Sequence, residues 1–370
     1  MKVLNLIWGF TLGAGIDKCY LTYARLGEVD ESVEVKSVCI NLQSRSSRVE
    51  SLKIINAELI DIRNRLDFSW VRKLKKLVND EKPDLIFTHG FNGAIMVLIE
   101  HILAGLKVKT VFSYHGLYNP PTTSRRLVAP VFNFLPICVY KRIASKVICV
   151  SKDSARQLIE RGVDEGKIVT VYNGIPDCRV NRCAELRKDT VNIITCSRID
   201  AIKGLDVLLS ALSLIKDKGM DFHYYMIGEG PELDSLKTKC SGLCMDRYVT
   251  FTGYQTNVDM WLNSADIYAM TSFQENHSIA LLEAMRAGKA IVATTVGGNS
   301  ESITDGVEGL LVPPSDPIAL ADALEELLSD GELRTQLGQN ARNRFEREFT
   351  ETAMMKGLVK VLKSVSSTES

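Results

Sequence analysis

Short apolar runs rich in Val and Ile alternate with helical patterns along almost the whole chain, and this alternation most constrains its fold. In the first half, runs near 3–8, 35–40, 84–88, 108–114, 147–151 and 168–172 read as strands. In the second half they lie near 191–197, 222–228, 248–252, 266–270, 289–294 and 309–312. Amphipathic stretches such as 69–80, 92–104, 152–162, 204–218, 278–287 and 317–330 fit between them as helices. Uniformly apolar strands are buried on both faces, as in parallel sheets covered by helices. The pattern predicts an α/β protein with two doubly wound parallel-sheet domains. Such sheets bind ligands beyond the carboxyl ends of their strands, so the residues of interest follow strands and face a cleft between the domains.

A chain of 370 residues exceeds one ordinary core. Periodicity gives way to Gly, Pro and charge in "YNGIPDCRVNRCAELRKDT", 172–190. We expect a first domain over 1–175, a second over 176–349, and a terminal helix within 350–370 that crosses back onto the first. Lys plus Arg and Asp plus Glu each total 45, and a net charge of zero points to no nucleic acid. The first 180 residues nevertheless hold 26 basic against 18 acidic residues, leaving 19 against 27 for the rest. A basic first half suits an anionic partner, although solvated helix faces give the same tally. The nine cysteines form no Cys-x-x-Cys pair and several lie in apolar runs, which reads as reduced thiols in a cytoplasmic protein. The opening "MKVLNLIWGFTLGAG" reads as a buried strand and glycine turn in preference to a signal peptide. No apolar run reaches the length of a membrane span.

Several post-strand segments carry candidate chemistry. In "CSRIDAIKG", Arg198 and Lys203 lie between a strand and a helix, where two cations beside helix amides suit a diphosphate. In isolation they read first as solvated surface cations, and their position after a strand weakens that reading. "MIGEGPE" places Gly228 in a tight turn that lets a ligand approach the backbone, and "FTGYQTN" repeats this logic around Tyr254. "FQENHSIALLEAM" holds Glu275 and Glu283 with seven residues between them. Glu283 falls in an otherwise apolar helix, where a carboxylate needs donors: two ribose hydroxyls, or a nearby cation such as Arg286. Glu275 precedes that helix, where its charge also suits the helix dipole, and Asn276 or Ser278 suits the N-cap. Gly297 and Gly298 follow the next strand and open the backbone to a ligand.

In the first domain, Gly13 and Gly15 follow the first strand, but Lys18 stands where a dinucleotide fingerprint needs glycine. That disfavours NAD and leaves an anion-accepting loop. His89 and His115 end two strands, each followed by glycine, and suit a catalytic edge. There is no Asp-x-Asp, no His-Glu-x-x-His and no Gly-x-x-x-x-Gly-Lys-Ser/Thr, so neither a metal-held diphosphate nor a P-loop is expected, and no cofactor.

Taken together, Arg198-x4-Lys203, "IGEGPE", "FTGY", Glu275-x7-Glu283 and "GGNSE" in this order resemble glycosyltransferase family 4. The resemblance is strongest over about 191–325 and looser in the first domain, through "SYHG", "ICVSKDS" and "VYNGI". It implies the two-domain GT-B fold and a retaining, metal-independent hexosyltransferase. The donor would be a UDP- or GDP-sugar carrying a hexose or N-acetylhexosamine, the first domain would bind the acceptor, and the second the donor. Arg198 and Lys203 would neutralise the leaving diphosphate, Glu283 would hold the ribose, and Glu275 would sit at the sugar. Gly13, Gly15, Gly228, Tyr254, Gly297 and Gly298 would line the donor, as would the backbone at Asn276, His277 and Ser278. His115 would touch the sugar and, with His89, the acceptor.

Many family members read Glu-Gly-Phe-Gly where this chain has Glu275-Asn276-His277-Ser278, which adds side chains near the sugar and bears on donor identity. The acceptor expected is a glycan, lipid-linked, in surface polysaccharide synthesis such as O-antigen, capsule or lipopolysaccharide. The basic, apolar segments 70–78 and 125–142 would place the protein peripherally on an anionic membrane, at the inner face of the plasma membrane; a helix packed on its own sheet shows the same stripe. A GT-B sugar-nucleotide epimerase and a catalytically silent sugar-nucleotide-binding protein are the rival readings.

Overall fold

Neighbouring residues of the first strand enter different cores. Val3 packs with Phe87, Val111 and Ile148 on one face of a sheet, and Leu4 with Ile40, Trp70 and Ile86 on the other. Both faces being apolar is what a central parallel sheet requires. The computed structural model describes residues 1–9, 15–42, 50–64, 67–105, 107–116, 129–178 and 186–367. It divides into two units, Met1–Asn173 with Glu351–Ser370, and Gly174–Thr350.

In the first unit, β1 (Lys2–Trp8), β2 (Glu34–Leu42), β3 (Glu58–Ile62), β4 (Leu85–His89), β5 (Lys109–Tyr114), β6 (Lys146–Cys149) and β7 (Ile168–Thr170) form one parallel sheet. Its order is β3-β2-β1-β4-β5-β6-β7. The helices are α1 (Gly15–Tyr23), α2 (Glu50–Ile54), α3 (Ser69–Glu81), α4 (Gly90–Leu103), α5 (Ala129–Arg142) and α6 (Lys152–Glu160). β3 has no counterpart among the expected strands. Only Ile60 and Ile62 of "ELIDI" are buried, so an edge strand with two acids leaves a weak apolar signal. On α3, Trp70, Val71, Leu74, Leu77 and Val78 are buried in the core, and the lysines occupy the other side. The apolar stripe of 70–78 therefore packs on its own sheet. Of the segment 125–142, residues 125–128 lie outside the described residues.

The second unit holds β8 (Asn192–Cys196), β9 (His223–Ile227), β10 (Val249–Gly253), β11 (Ile267–Met270), β12 (Ala290–Thr294) and β13 (Leu310–Val312), parallel in the order β10-β9-β8-β11-β12-β13. Its helices are α7 (Leu205–Asp217), α8 (Leu233–Gly242), α9 (Val258–Ser264), α10 (Ile279–Arg286), α11 (Asn299–Ser302), α12 (Pro317–Ser329) and α13 (Gly331–Glu348). Asp316 caps α12 through the Ile318 and Ala319 amides, and Asp330, the single residue between α12 and α13, caps α13 through the Leu333 amide. The chain then closes with α14 (Glu351–Ser367), whose Met354, Met355, Leu358, Val359 and Leu362 enter the first unit's core beside Val3 and Phe87. Among the described residues no helix is long and apolar enough to cross a membrane.

Candidate active site

In the second unit the chain runs outward one way from β8 to β9 and β10, and the other way from β11 to β12 and β13. β8 and β11 are neighbours, so the winding reverses between them, and the loops that follow them diverge at the ligand-binding edge. Arg198 and Lys203 lie on the first loop and Glu275 on the second. The structure brings Lys203 and Glu275 together, with Nζ 2.7 Å from Oε1. Ser272 donates to the same carboxylate oxygen at 2.7 Å. Both side chains are largely buried, Glu275 being 11% exposed and Lys203 23%. Thr271 Oγ1 donates to the Lys203 carbonyl at 3.0 Å, and the Phe273 amide to the Ile202 carbonyl at 2.8 Å, so the loops are bound to each other. Arg198 is mostly exposed and pairs with Asp200. The arrangement offers two cations and one carboxylate from opposite sides of the reversal point. It can receive an anion and a polyhydroxyl group side by side.

The glycines of this edge admit protein backbone before any ligand. A Cβ on Gly228, at φ +136°, would lie 1.9 Å from the Ser197 carbonyl oxygen. One on Gly298 would lie 2.0 Å from the Asn276 oxygen. The Gly228 turn is therefore filled by the Arg198 loop, and the Gly298 turn by the Glu275 loop. Gly297 takes φ +49°. Tyr254 stands exposed after β10.

The segment 276–278 departs from its expected role in one respect. The His277 imidazole is 5% exposed, lies 3.2 Å from Ser302 Oγ and stacks near Phe349 at 5.4 Å between ring centroids. Burial, and then the charge of Arg344, hold it down to a pKa of about 3, so it is neutral. Its side chain is thus turned into the domain. Ser278 caps α10 through the Leu281 amide. Glu283 is half-buried on that helix; burial first, and then charges that include Glu283, raise the thiol of Cys196 and the phenol of Tyr268. Arg286, the cation weighed as its partner, is instead taken by Asp259 and the Pro176 carbonyl.

In the first unit the winding reverses between β1 and β4. Gly13 lies outside the described residues, and Gly15 opens α1. His89, expected at the acceptor, is buried in the core: it is 2% exposed, with Nε2 2.7 Å from Asn5 Oδ1 and its ring among Tyr20, Tyr23 and Phe87. An extended last residue of β4 has two directions to point, and this one points into the core. His115 is half-buried after β5, bonded at 2.8 Å to Ser113 Oγ, and burial lowers its pKa to about 4.

Sequence reasoning missed Ser272 and Asp200, which orient Glu275 and Arg198. It also missed Ser197, whose Oγ, like Oδ1 of the expected Asn276, is a buried polar atom without a hydrogen-bond partner among the described residues. A hydroxyl immediately after β8 was the available signal. Among the described residues no group of three or more His, Cys, Asp or Glu could hold a metal ion.

Comparison with known proteins adds two family models. Residues 37–179 match Glycosyltransferase Family 4, and residues 182–344 match Glycosyl transferases group 1. The N-acetyl-alpha-D-glucosaminyl L-malate synthase of Bacillus anthracis is 26% identical over 76% of this chain and 75% of its own length. The lipopolysaccharide core biosynthesis glycosyltransferase LpsE of Rhizobium meliloti is 26% identical over 79% of each chain. Anabaena HepE, solved in complex with UDP-glucose, superposes with a TM-score of 0.80 at 19% identity, covering 98% of this chain and 100% of that one, a likeness of fold. The fold is the GT-B architecture.

Proposed function

We propose, for a chain that belongs to glycosyltransferase family 4 through its paired family 4 and group 1 domains, that it transfers a hexose or N-acetylhexosamine with retention of configuration. The donor is a nucleotide diphosphate sugar, bound by the second unit, and the acceptor is a hydroxyl of a glycan, bound by the first. The Lys203–Glu275 pair at the reversal point of the second sheet carries this reading. A diphosphate is the ligand that Lys203 and Arg198 can hold together, and Glu275 then lies where the attached sugar extends.

As the bond from the anomeric carbon to the diphosphate breaks, its electron pair goes to the phosphate oxygen. Lys203 and Arg198 stabilise that developing charge. Glu275 accepts from a sugar hydroxyl and steadies positive charge at the anomeric carbon. The acceptor oxygen bonds that carbon, and its proton passes to the departing phosphate. Glu283 accepts from the ribose hydroxyls. This needs no dedicated base, and no metal enters the steps assigned to these residues. HepE with UDP-glucose supports a uridine donor, and LpsE supports a surface-glycan acceptor.

Lys203→Ala and Glu275→Ala should each lower kcat/KM by about 10²-fold or more with melting temperature retained, as loss of a preorganised charge-stabilising group does. Turnover should also require an added acceptor. Wild-type rates in both variants would overturn the site, and donor conversion without acceptor would favour an epimerase.

A lipid-linked acceptor and a peripheral position on the cytoplasmic face of the membrane are part of the same proposal. Exposed Phe68 and Leu103, which share a groove with Arg72, Lys73 and Lys75 of α3, support it, as do the exposed Ile102, Phe134 and Leu135 of the first unit. The protein should pellet with vesicles containing anionic phosphatidylglycerol and be released by salt. Equal recovery in the supernatant with and without vesicles would contradict this.

A further inference from the structure

Two residues before His115, the strand β5 carries a serine that nothing above has used. Ser113 sits mid-sheet, in register with His89 of β4 on one side and Ile148 of β6 on the other. It is fully buried, and its Oγ lies 2.8 Å from Nε2 of His115. This is the only hydrogen bond of His115 among the described residues. Gly116 follows at φ +109°, a conformation that favours glycine, so the backbone leaves the strand directly after the imidazole. The other ring nitrogen has a different surrounding. Nδ1 of His89, His223 and His277 is sealed from water without a partner, and Nδ1 of His115 is not. It has no protein partner among the described residues, so it is open to solvent and ligand. β5 lies beside β4, and the first sheet reverses between β1 and β4, so this nitrogen stands at the edge where a doubly wound sheet receives its ligand. Burial lowers the ring's pKa to about 4 and keeps it neutral. A neutral imidazole exchanges hydrogen bonds with an uncharged hydroxyl and offers a phosphate no countercharge.

We propose that Ser113 is a positioning residue: by holding Nε2 it fixes the His115 ring with Nδ1 toward the bound ligand, where that nitrogen meets a sugar hydroxyl. The last torsion of a histidine is broad and two-fold, so an unanchored ring turns over and exchanges its two nitrogens. One bond to a buried hydroxyl, itself held between two paired strands, removes that freedom before the ligand arrives. Ser113 acts here within the proposed transfer reaction, on which this assignment rests. The hydroxyl belongs either to the sugar being moved or to the glycan that receives it.

The first arm of the test needs no substrate. In nitrogen NMR of the full chain at neutral pH, His115 should show a single tautomer in wild type and a mixture in Ser113→Ala. An unchanged ring would overturn the positioning role even where sugar transfer stands. The second arm is a double-mutant cycle, with UDP- and GDP-hexoses as donors and mono- and disaccharides as acceptors. Ser113→Ala should lower kcat/KM about tenfold, the size expected for one hydrogen bond, with the melting temperature nearly retained. In a His115→Ala background the same change should cost nothing further, a coupling that a merely structural serine does not show. Equal losses in the two backgrounds, or wild-type rates in Ser113→Ala, would overturn the proposal. His115→Asn, whose amide reaches the Nδ1 position, should keep more activity than His115→Gln, whose amide reaches Nε2, and the reverse order would overturn the choice of nitrogen. A raised KM for the donor assigns the hydroxyl to the donor sugar, and a raised KM for the acceptor assigns it to the glycan. Failure of the transfer reading shows separately, as a wild type that moves no sugar, and would take the hydroxyl contact with it.

Discussion

At the scale of single residues, the buried histidines set how the protein meets acid. His277 is held at a pKa of about 3, and His115 and His223 at about 4, each chiefly by burial. The unfolded chain takes up protons near pH 6.5, where the folded one does not. Stability from these groups is therefore whole above pH 6.5 and falls as pH drops from there toward 3 to 4. His277→Phe removes one of them while keeping a ring against Phe349. Ser302 Oγ stays satisfied because it also donates to the Gly298 carbonyl. Melting temperature should then fall less steeply between pH 6.5 and 4 than in wild type, and an unchanged slope would refute the assignment. The same residues mark how far the sequence could be read. Lys203 and Glu275 were legible because following a strand already fixes their place in a doubly wound sheet. His89 and His277 were not, because burial of a loop or strand-end imidazole depends on partners far along the chain, Asn5 and Phe349.

At the scale of elements, the candidate site is a set of loops packed backbone to backbone. Gly228 fits against Ser197, Gly230 against Ile199, Gly204 against Thr271 and Gly298 against Asn276. Each contact leaves no room for a side chain, so the loops after β8, β9, β11 and β12 form one layer. Gly298→Ala places a methyl 2.0 Å from a carbonyl oxygen and must displace the Glu275 loop. The overpacking should cost about 1–3 kcal/mol. Activity should fall by more than that loss of stability explains. A fully active, fully stable variant would show that the loops are independent. Glycines after strands were visible in the sequence as turns, but whether they made room for ligand or for protein was not. Elsewhere, uniform apolar runs and capped helices made both sheets legible. The acidic edge strand β3 was lost because two of its five residues are carboxylates.

At the scale of the molecule, each unit winds about its own reversal point and owns its own core. The first is completed by a helix from the far end of the chain, α14, whose apolar face covers Val3, Phe87 and Val111. The basic excess of the first half leaves that unit suited to an anionic partner. Donor identity was not legible, because side chains at 276–278 that read as sugar contacts include one imidazole folded inward. The central claim is that the Lys203–Glu275 edge binds a nucleotide diphosphate. Isothermal titration of UDP and GDP into the full chain tests it most directly. Saturable one-to-one binding of at least one nucleotide is expected, weakened about tenfold or more in Lys203→Ala by loss of a charge-assisted contact and in Arg198→Ala to a lesser degree. Binding of neither nucleotide, or equal affinity in wild type and Lys203→Ala, would contradict it.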